Sequence, residues 1–139
     1  MMLTTKGRYA VMALVDIALH SSNKPCRLAE VAERQNIDLR YLEQIFVKLK
    51  NLNVIIAIRG PNGGYRLQKS PEEIKISDII GAVEESVEMT RCKGEDAGCI
   101  KKGAKCLTHD LWEGLEVAIK SFLENITIED VLTKKLNRA

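Results

Sequence analysis

The stretch that most narrows the possible folds is Val54–Gln68. Five apolar, mostly β-branched residues (VIIAI) run into Arg-Gly-Pro-Asn-Gly-Gly and return through Tyr-Arg-Leu-Gln. β-branched side chains suit a pleated strand and a Gly/Pro/Asn cluster reverses the chain, so a two-stranded hairpin is expected here. Arg59 and Gly60 fall at its tip and Arg66 on its return strand. The glycines could also cradle a phosphate. A nucleotide-binding loop, however, needs a Lys-Ser/Thr pair after them, and none follows.

What precedes the hairpin reads as helical. Thr4 and Thr5 can cap a first helix over about Lys6–His20, with Tyr9, Met12, Leu14, Val15, Ala18 and Leu19 as its apolar stripe. Beyond Pro25 a short helix is expected over Leu28–Gln35, with Leu28, Ala29, Val31 and Ala32 inward. Asn36 can end it in the left-handed region and Asp38 can cap the next helix. That third helix, Leu39–Asn51, divides by face. Leu39, Leu42, Ile45, Phe46, Leu49 and Leu52 keep three-and-four spacing toward a core, while Arg40, Glu43, Gln44 and Lys48 oppose them and Tyr41 lies alongside near the N-terminus. Two short helices joined by a tight turn form a helix-turn-helix, and the hairpin makes it a winged one.

The polar face of the third helix suits double-stranded DNA. Lysine and arginine bind phosphate, glutamine can read adenine through paired bonds, and glutamate can accept from the cytosine amine. An arginine at the wing tip can enter a narrow minor groove, where the negative potential is strongest. The bland competitor is an amphipathic helix with a solvated side; the basic wing tip tilts the balance toward DNA. Charge supports this: residues 1–69 carry 11 Lys/Arg against 5 Asp/Glu, whereas residues 70–139 carry 10 against 14. A basic front half joined to an acidic back half fits a polyanion-binding surface attached to something else.

Downstream, Ser70-Pro71 starts a turn and Ser77 can cap a short helix through about Glu84, with Ile79, Ile80 and Val83 inward. Then comes Arg91–Asp110, RCKGEDAGCIKKGAKCLTHD, which holds Cys92, Cys99 and Cys106 at a seven-residue step and His109 after them. A segment so poor in apolar residues cannot order itself by burial. Three thiolates and an imidazole are enough to close one metal or iron–sulfur site. Zinc takes the same donors, although the wide spacing lacks the Cys-x-x-Cys pair of zinc ribbons, and bare thiols could act as a redox sensor. Cys26 stands apart as a small structural residue, and His20 as a helix-end residue. A helix over about Thr108–Glu124 carries the stripe Leu111, Leu115, Ala118, Ile119 and Phe122, widened by Trp112 and Val117. It can complete the monomer core or pack against its own copy. A short helix over Thr127–Leu136 opens on a Thr-x-x-Asp cap pattern.

The expected fold is therefore mainly α with a small β-hairpin wing. A winged helix-turn-helix DNA-binding domain (1–84) precedes a cluster-binding loop (85–110), then a long C-terminal dimerisation helix and a short last helix (111–139). No apolar run approaches a membrane span, and neither a signal-peptide pattern nor a nucleophile-plus-base pattern appears, so a cytoplasmic non-enzyme is expected. Clustered cysteines in a reducing compartment favour metal binding over disulfides.

The stretches LTTKGRYAV, ERQNIDLRYLEQIF, RGPNGGYRL, TRC and KCLTH resemble the IscR family of winged helix-turn-helix transcription factors over nearly the whole chain. The resemblance implies a homodimer carrying a [2Fe–2S] cluster on Cys92, Cys99, Cys106 and His109, supplied by the iron–sulfur cluster assembly machinery. It implies DNA contacts from Tyr41, Glu43 and Gln44 and from Arg59 on the wing. The implied role is control of iron–sulfur cluster assembly genes, as repressor and in some settings activator. Both inter-cysteine intervals are one residue longer than the family pattern. Relatives that sense nitric oxide or cysteine metabolism leave the signal itself open.

Overall fold

A computed structural model describes residues 5–84 and 106–136. Its elements run α1 (Thr5–His20), α2 (Leu28–Gln35), α3 (Leu39–Lys50), β1 (Ile55–Ile58), β2 (Gly64–Leu67), α4 (Ile76–Val83), α5 (His109–Glu124) and α6 (Ile128–Leu132), with one turn of 3-10 helix at Pro71–Glu73 between β2 and α4. This is the expected mainly helical fold with a hairpin wing.

The turn between α2 and α3 forms as its residues dictate. Asn36 sits in the left-handed region at φ 54°, and the Asp38 carboxylate accepts from the Tyr41 N–H at 3.0 Å. Such a cap stabilises a helix by about 1 kcal/mol. Val31, Ala32, Ile37, Leu42, Ile45, Phe46 and Leu49 are all buried, so α2 and α3 cross over a shared apolar core. Two residues expected inward are not: Leu39 is half-exposed and Ala29 is exposed, both lying where the helices diverge from the core.

Helix α1 turns a different stripe inward from the one expected. Gly7, Ala10, Ala13, Leu14, Asp16 and Ile17 are buried. Met12 and Leu19 are exposed, and Tyr9, Val15 and Ala18 are half-buried. The reason is crowding: α1 packs against α2, α3, α4, α6 and β2 together, and small side chains let the surrounding backbones approach. Asp16 is drawn in because it has partners there. Arg34 Nη2 donates to its Oδ1 at 2.6 Å and Gln35 Nε2 to its Oδ2 at 2.8 Å. His20 is the helix-end residue expected, its Nδ1 lying 2.9 Å from the Asp16 carbonyl oxygen.

The hairpin pairs Ile55 with Leu67 and Ile58 with Gly64, antiparallel. A two-stranded ribbon is marginal alone, and this one has two supports. Cys26 pairs with Tyr65 as a third, one-residue strand, with N–H···O bonds of 2.8 and 2.6 Å. On the inner face the Tyr65 ring stands edge-on to Phe46 at 5.1 Å. Gly64 is required at this point: its φ is +151°, and a Cβ there would collide with the Cys26 carbonyl. Cys26, buried and bridging, is structural as expected.

Helix α4 starts two residues earlier than Ser77 would place it, with Lys75 rather than Ser77 at the cap. The missing side-chain cap is replaced by backbone from the far end of the chain. Ile76 N–H donates to Ile126 O at 2.9 Å, and Ile128 N–H to Ile74 O at 3.0 Å. That bridge fixes α6, whose start carries the expected cap pair: the Asp130 N–H donates to Thr127 Oγ1, and the Asp130 carboxylate accepts from the Thr127 N–H. Helix α6 ends at Leu132 rather than Leu136, with Lys134 in the left-handed region. Ile126 and Ile128 belong to the same core as α1 and α4.

Helix α5 does not complete that core. Only His109 on it is buried. Leu111 and Val117 are each 60% exposed, Phe122 48%, Leu115 40% and Trp112 39%. Among the described residues, no helix is long and apolar enough to cross a membrane.

Candidate nucleic-acid interface and metal centre

The outer face of α3 presents Arg40, Glu43, Gln44, Val47, Lys48 and Lys50 to solvent, while Tyr41 is half-buried with its ring edge-on to Tyr9 at 5.8 Å. These side chains divide by direction. Glu43, Val47 and Lys50 line a cleft whose other wall is the hairpin (Ile58, Gly60, Gly63, Tyr65) and whose end is Arg27 and Leu28. Lys48 instead borders a second cleft toward the end of α4, with Gly81 and Glu84. Arg40 and Gln44 lie between the two, at the crest of the helix.

On the wing, Arg59 and Gly60 are exposed at the tip, Gly60 with φ +111°. The Arg27 guanidinium donates to the Pro61 carbonyl, which ties the tip back to the start of α2. Arg66 pairs with Ile56. Successive strand residues face opposite ways, so Arg66 lies on the outer side of the ribbon, away from the Tyr65–α3 cleft. The candidate DNA-contacting residues thus form one surface with two flanks and a tip. Three further side chains belong to it that the sequence pattern did not single out: Arg27, Val47 and Lys50. Val47 and Lys50 continue the Glu43 row at four and seven residues, a spacing that could have found them. Arg27 precedes α2 and has no such signal.

Lys50 also lies over the Tyr65 ring, 5.4 Å from its centroid. That contact joins one cation of the reading helix to the wing across the cleft.

Of the four candidate soft ligands, Cys106 and His109 fall within the described residues and Cys92 and Cys99 outside them. Cys106 and His109 sit together at the start of α5, the His109 N–H donating to the Cys106 carbonyl at 3.1 Å. The Thr108 hydroxyl lies 3.5 Å from Cys106 Sγ and, with nearby backbone N–H groups, holds this thiol below its ordinary pKa. A thiol so placed gives up its proton readily, as a metal ligand must. The His109 ring is nearly buried, with its Nε2 3.8 Å from a Glu113 carboxylate oxygen one turn on. A carboxylate beside a metal-binding imidazole is the common orienting arrangement. The described donors therefore fit a thiolate- and imidazole-bound metal group.

Comparison with known proteins bears on the family and the fold. A family profile described as Rrf2, iron-dependent transcriptional regulator, matches residues 3–134. The HTH-type transcriptional regulator IscR of Pectobacterium carotovorum is 50% identical over 135 residues, spanning 97% of this chain and 81% of that one. IscR of Vibrio parahaemolyticus is 49% identical over 133 residues, 96% of this chain and 78% of the other. Among solved structures, T. potens IscR superposes with a TM-score of 0.78 at 32% identity, covering 97% of this chain and 88% of its own. CymR, the global cysteine regulator of B. subtilis, superposes with a TM-score of 0.80 at 28% identity, covering 96% and 98%. A winged reading head, a helix that opens on His109 just after Cys106, and these matches lead to one conclusion: the chain belongs to the Rrf2 family of iron-dependent transcriptional regulators.

Proposed function

We propose that this regulator is a homodimer that reads a DNA operator and senses an iron–sulfur cluster held on Cys92, Cys99, Cys106 and His109. The observation that carries the proposal is the placement of His109 as the first residue of α5, with Cys106 just ahead of the helix. That helix packs against α4 of the winged head and leaves its apolar stripe exposed. Ligand-bearing turn, pairing face and reading head are thus one connected body. A [2Fe–2S] cluster with histidine at one iron would supply a redox- and supply-sensitive group of altered potential and lability, delivered by the cell's cluster assembly machinery. For the group to act as a switch, it must favour one arrangement of the two heads over another; tight binding alone shifts nothing.

On the DNA side, Arg40 and Lys48 take phosphates, Gln44 approaches from the crest of the helix and the half-buried Tyr41 from its side, and Arg59 with Gly60 enters the minor groove while Arg66 takes a flanking phosphate. Glu43 is the discriminator. A carboxylate on a face meant for a polyanion costs affinity unless a cytosine amine donates to it, so it rejects other bases. The division of labour is a DNA-binding unit over 1–84, a cluster loop over 85–110 and a pairing helix beyond. No catalytic role is assigned.

The test is the absorption spectrum and metal content of protein purified without oxygen, with operator binding measured before and after cluster loss. Coloured protein with iron and sulfide in equal amounts, and a changed affinity or site preference on loss, is the expected result. Colourless protein holding stoichiometric zinc would mark the centre as structural and overturn the sensor reading.

A further inference from the structure

The outer face of α3 carries one side chain that its neighbours do not account for. Val47 is apolar and β-branched, yet 64% exposed among Arg40, Glu43, Gln44 and Lys48. Single exposed apolar residues are ordinary on surfaces, but the position of this one is specific. At about 100° per residue it projects between Glu43 and Gln44, one turn nearer the C-terminus. It also lines the cleft between α3 and the wing together with Glu43 and Gly60. Valine is one of the weaker helix formers at an exposed site, and at 64% exposure most of this one lies open. Its methyl groups therefore gain further burial when something enters that cleft.

The surface around it defines what enters. Arg27, Lys50 and the wing tip supply positive charge at the walls, while Glu43 and Gln44 supply the groups that pair with base edges. On a duplex seated there, the base-edge group that an aliphatic side chain can recognise is the thymine 5-methyl in the major groove. We propose that Val47 is a specificity-determining residue that contacts a thymine methyl beside the base read by Glu43. This inference rests on the DNA-reading role proposed above for α3. Glu43 would exclude non-cytosine bases by charge, and Val47 would favour the adjacent thymine by apolar contact.

The experiment uses the full chain and a duplex that it selects from a randomised pool. Each thymine is replaced in turn by deoxyuridine, which removes only the 5-methyl group, and affinity is read by fluorescence anisotropy. Burying one methyl corresponds to about a three- to fivefold effect. The native chain is expected to lose that much at one thymine per half-site. Val47→Ser should bind the thymine and deoxyuridine duplexes equally at that position, and Val47→Thr, which keeps one γ-methyl, should restore the difference. Since Val47 is exposed, both variants should fold as the native chain does. If Val47→Ser retains every methyl effect of the native chain, or the native chain shows none, while Glu43→Ala still broadens the bound sequences, the Val47 role is wrong and the reading face stands. If Glu43→Ala leaves the ranking unchanged as well, it is the reading face itself that fails.

Discussion

Asp16 shows how one residue can be misplaced by pattern and placed by chemistry. Burial alone would raise the pKa of its carboxyl. The Arg34 and Gln35 hydrogen bonds, helped by the Arg34 and His20 charges, outweigh burial and leave it below the ordinary carboxylate value. A lowered folded-state pKa contributes stability above the unfolded value of about 3.9, and that stability is lost as pH falls through the folded value. Asp16→Asn is expected to cost about 2–3 kcal/mol at neutral pH. This is less than the roughly 3–5 of a fully buried pair, because Arg34 keeps a third of its side chain in solvent. Urea unfolding from pH 7 to pH 3 should show the native advantage shrinking in acid; a constant gap would mean the ion pair is not its source. At the reading face two substitutions should differ in kind. Arg59→Ala should weaken binding across all sequences and reduce the salt dependence by about one counterion. Glu43→Ala should instead relax the preference at one base pair, worth about 1–3 kcal/mol of discrimination. Competition between operator variants at two salt concentrations separates them.

At the level of elements, the junction of α1 and α4 is where packing overrides propensity. The Gly7 N–H donates to the Glu84 carboxylate at 3.0 Å. A Cβ on Gly7 would stand 2.7 Å from Glu84 Oε1. Alanine ordinarily favours a helix over glycine by about 0.5–1 kcal/mol. Here Gly7→Ala should reverse that sign, displacing a carboxylate only 7% exposed. We expect a net loss of about 1–2 kcal/mol and a melting temperature several degrees lower. An unchanged or raised melting point would show that Glu84 can move aside freely. Helix α5 poses the opposite case, an amphipathic helix that packs Leu123 against the core but leaves most of its apolar stripe exposed among the described residues. Leu115→Lys on that stripe should leave the melting of the head nearly unchanged while shifting sedimentation from dimer to monomer. Operator affinity should then fall by about 10²-fold as the two heads lose their tether. A dimer that survives this substitution would place the pairing face elsewhere.

Across the whole molecule, the far end of the chain braces the front. Residues 74–76 pair with 126–128, and Ile128 is buried in the core that α1 and α4 share. The described residues on either side of 85–105 therefore belong to one packed body. If Cys92, Cys99, Cys106 and His109 hold one cluster, Cys92→Ala should abolish the colour of protein prepared without oxygen. The head itself rests on burial elsewhere, so its melting should remain. Loss of colour together with loss of the folded head would instead make the centre a structural prop.

Local chemistry makes several features legible in the amino-acid sequence alone: the Asn36–Asp38 turn, the Thr127–Asp130 cap, the glycine-built hairpin and the basic and amide face of α3. Each depends on residues within a few positions of one another, so local propensity decides it. The candidate ligands stand out in the same way, because four soft donors in an apolar-poor segment have few other uses. The tertiary structure alone decided which stripe of α1 turns inward, since four helices and a strand crowd one helix and select its small side chains. It moved the start of α4 away from Ser77, because backbone from residue 126 takes up the Ile76 N–H at the head of the helix. It likewise set the wing against the Glu43 flank of α3 and the end of α4 against its Lys48 flank. These are contacts between residues distant in the chain, and periodicity along a sequence carries no record of what packs across from it.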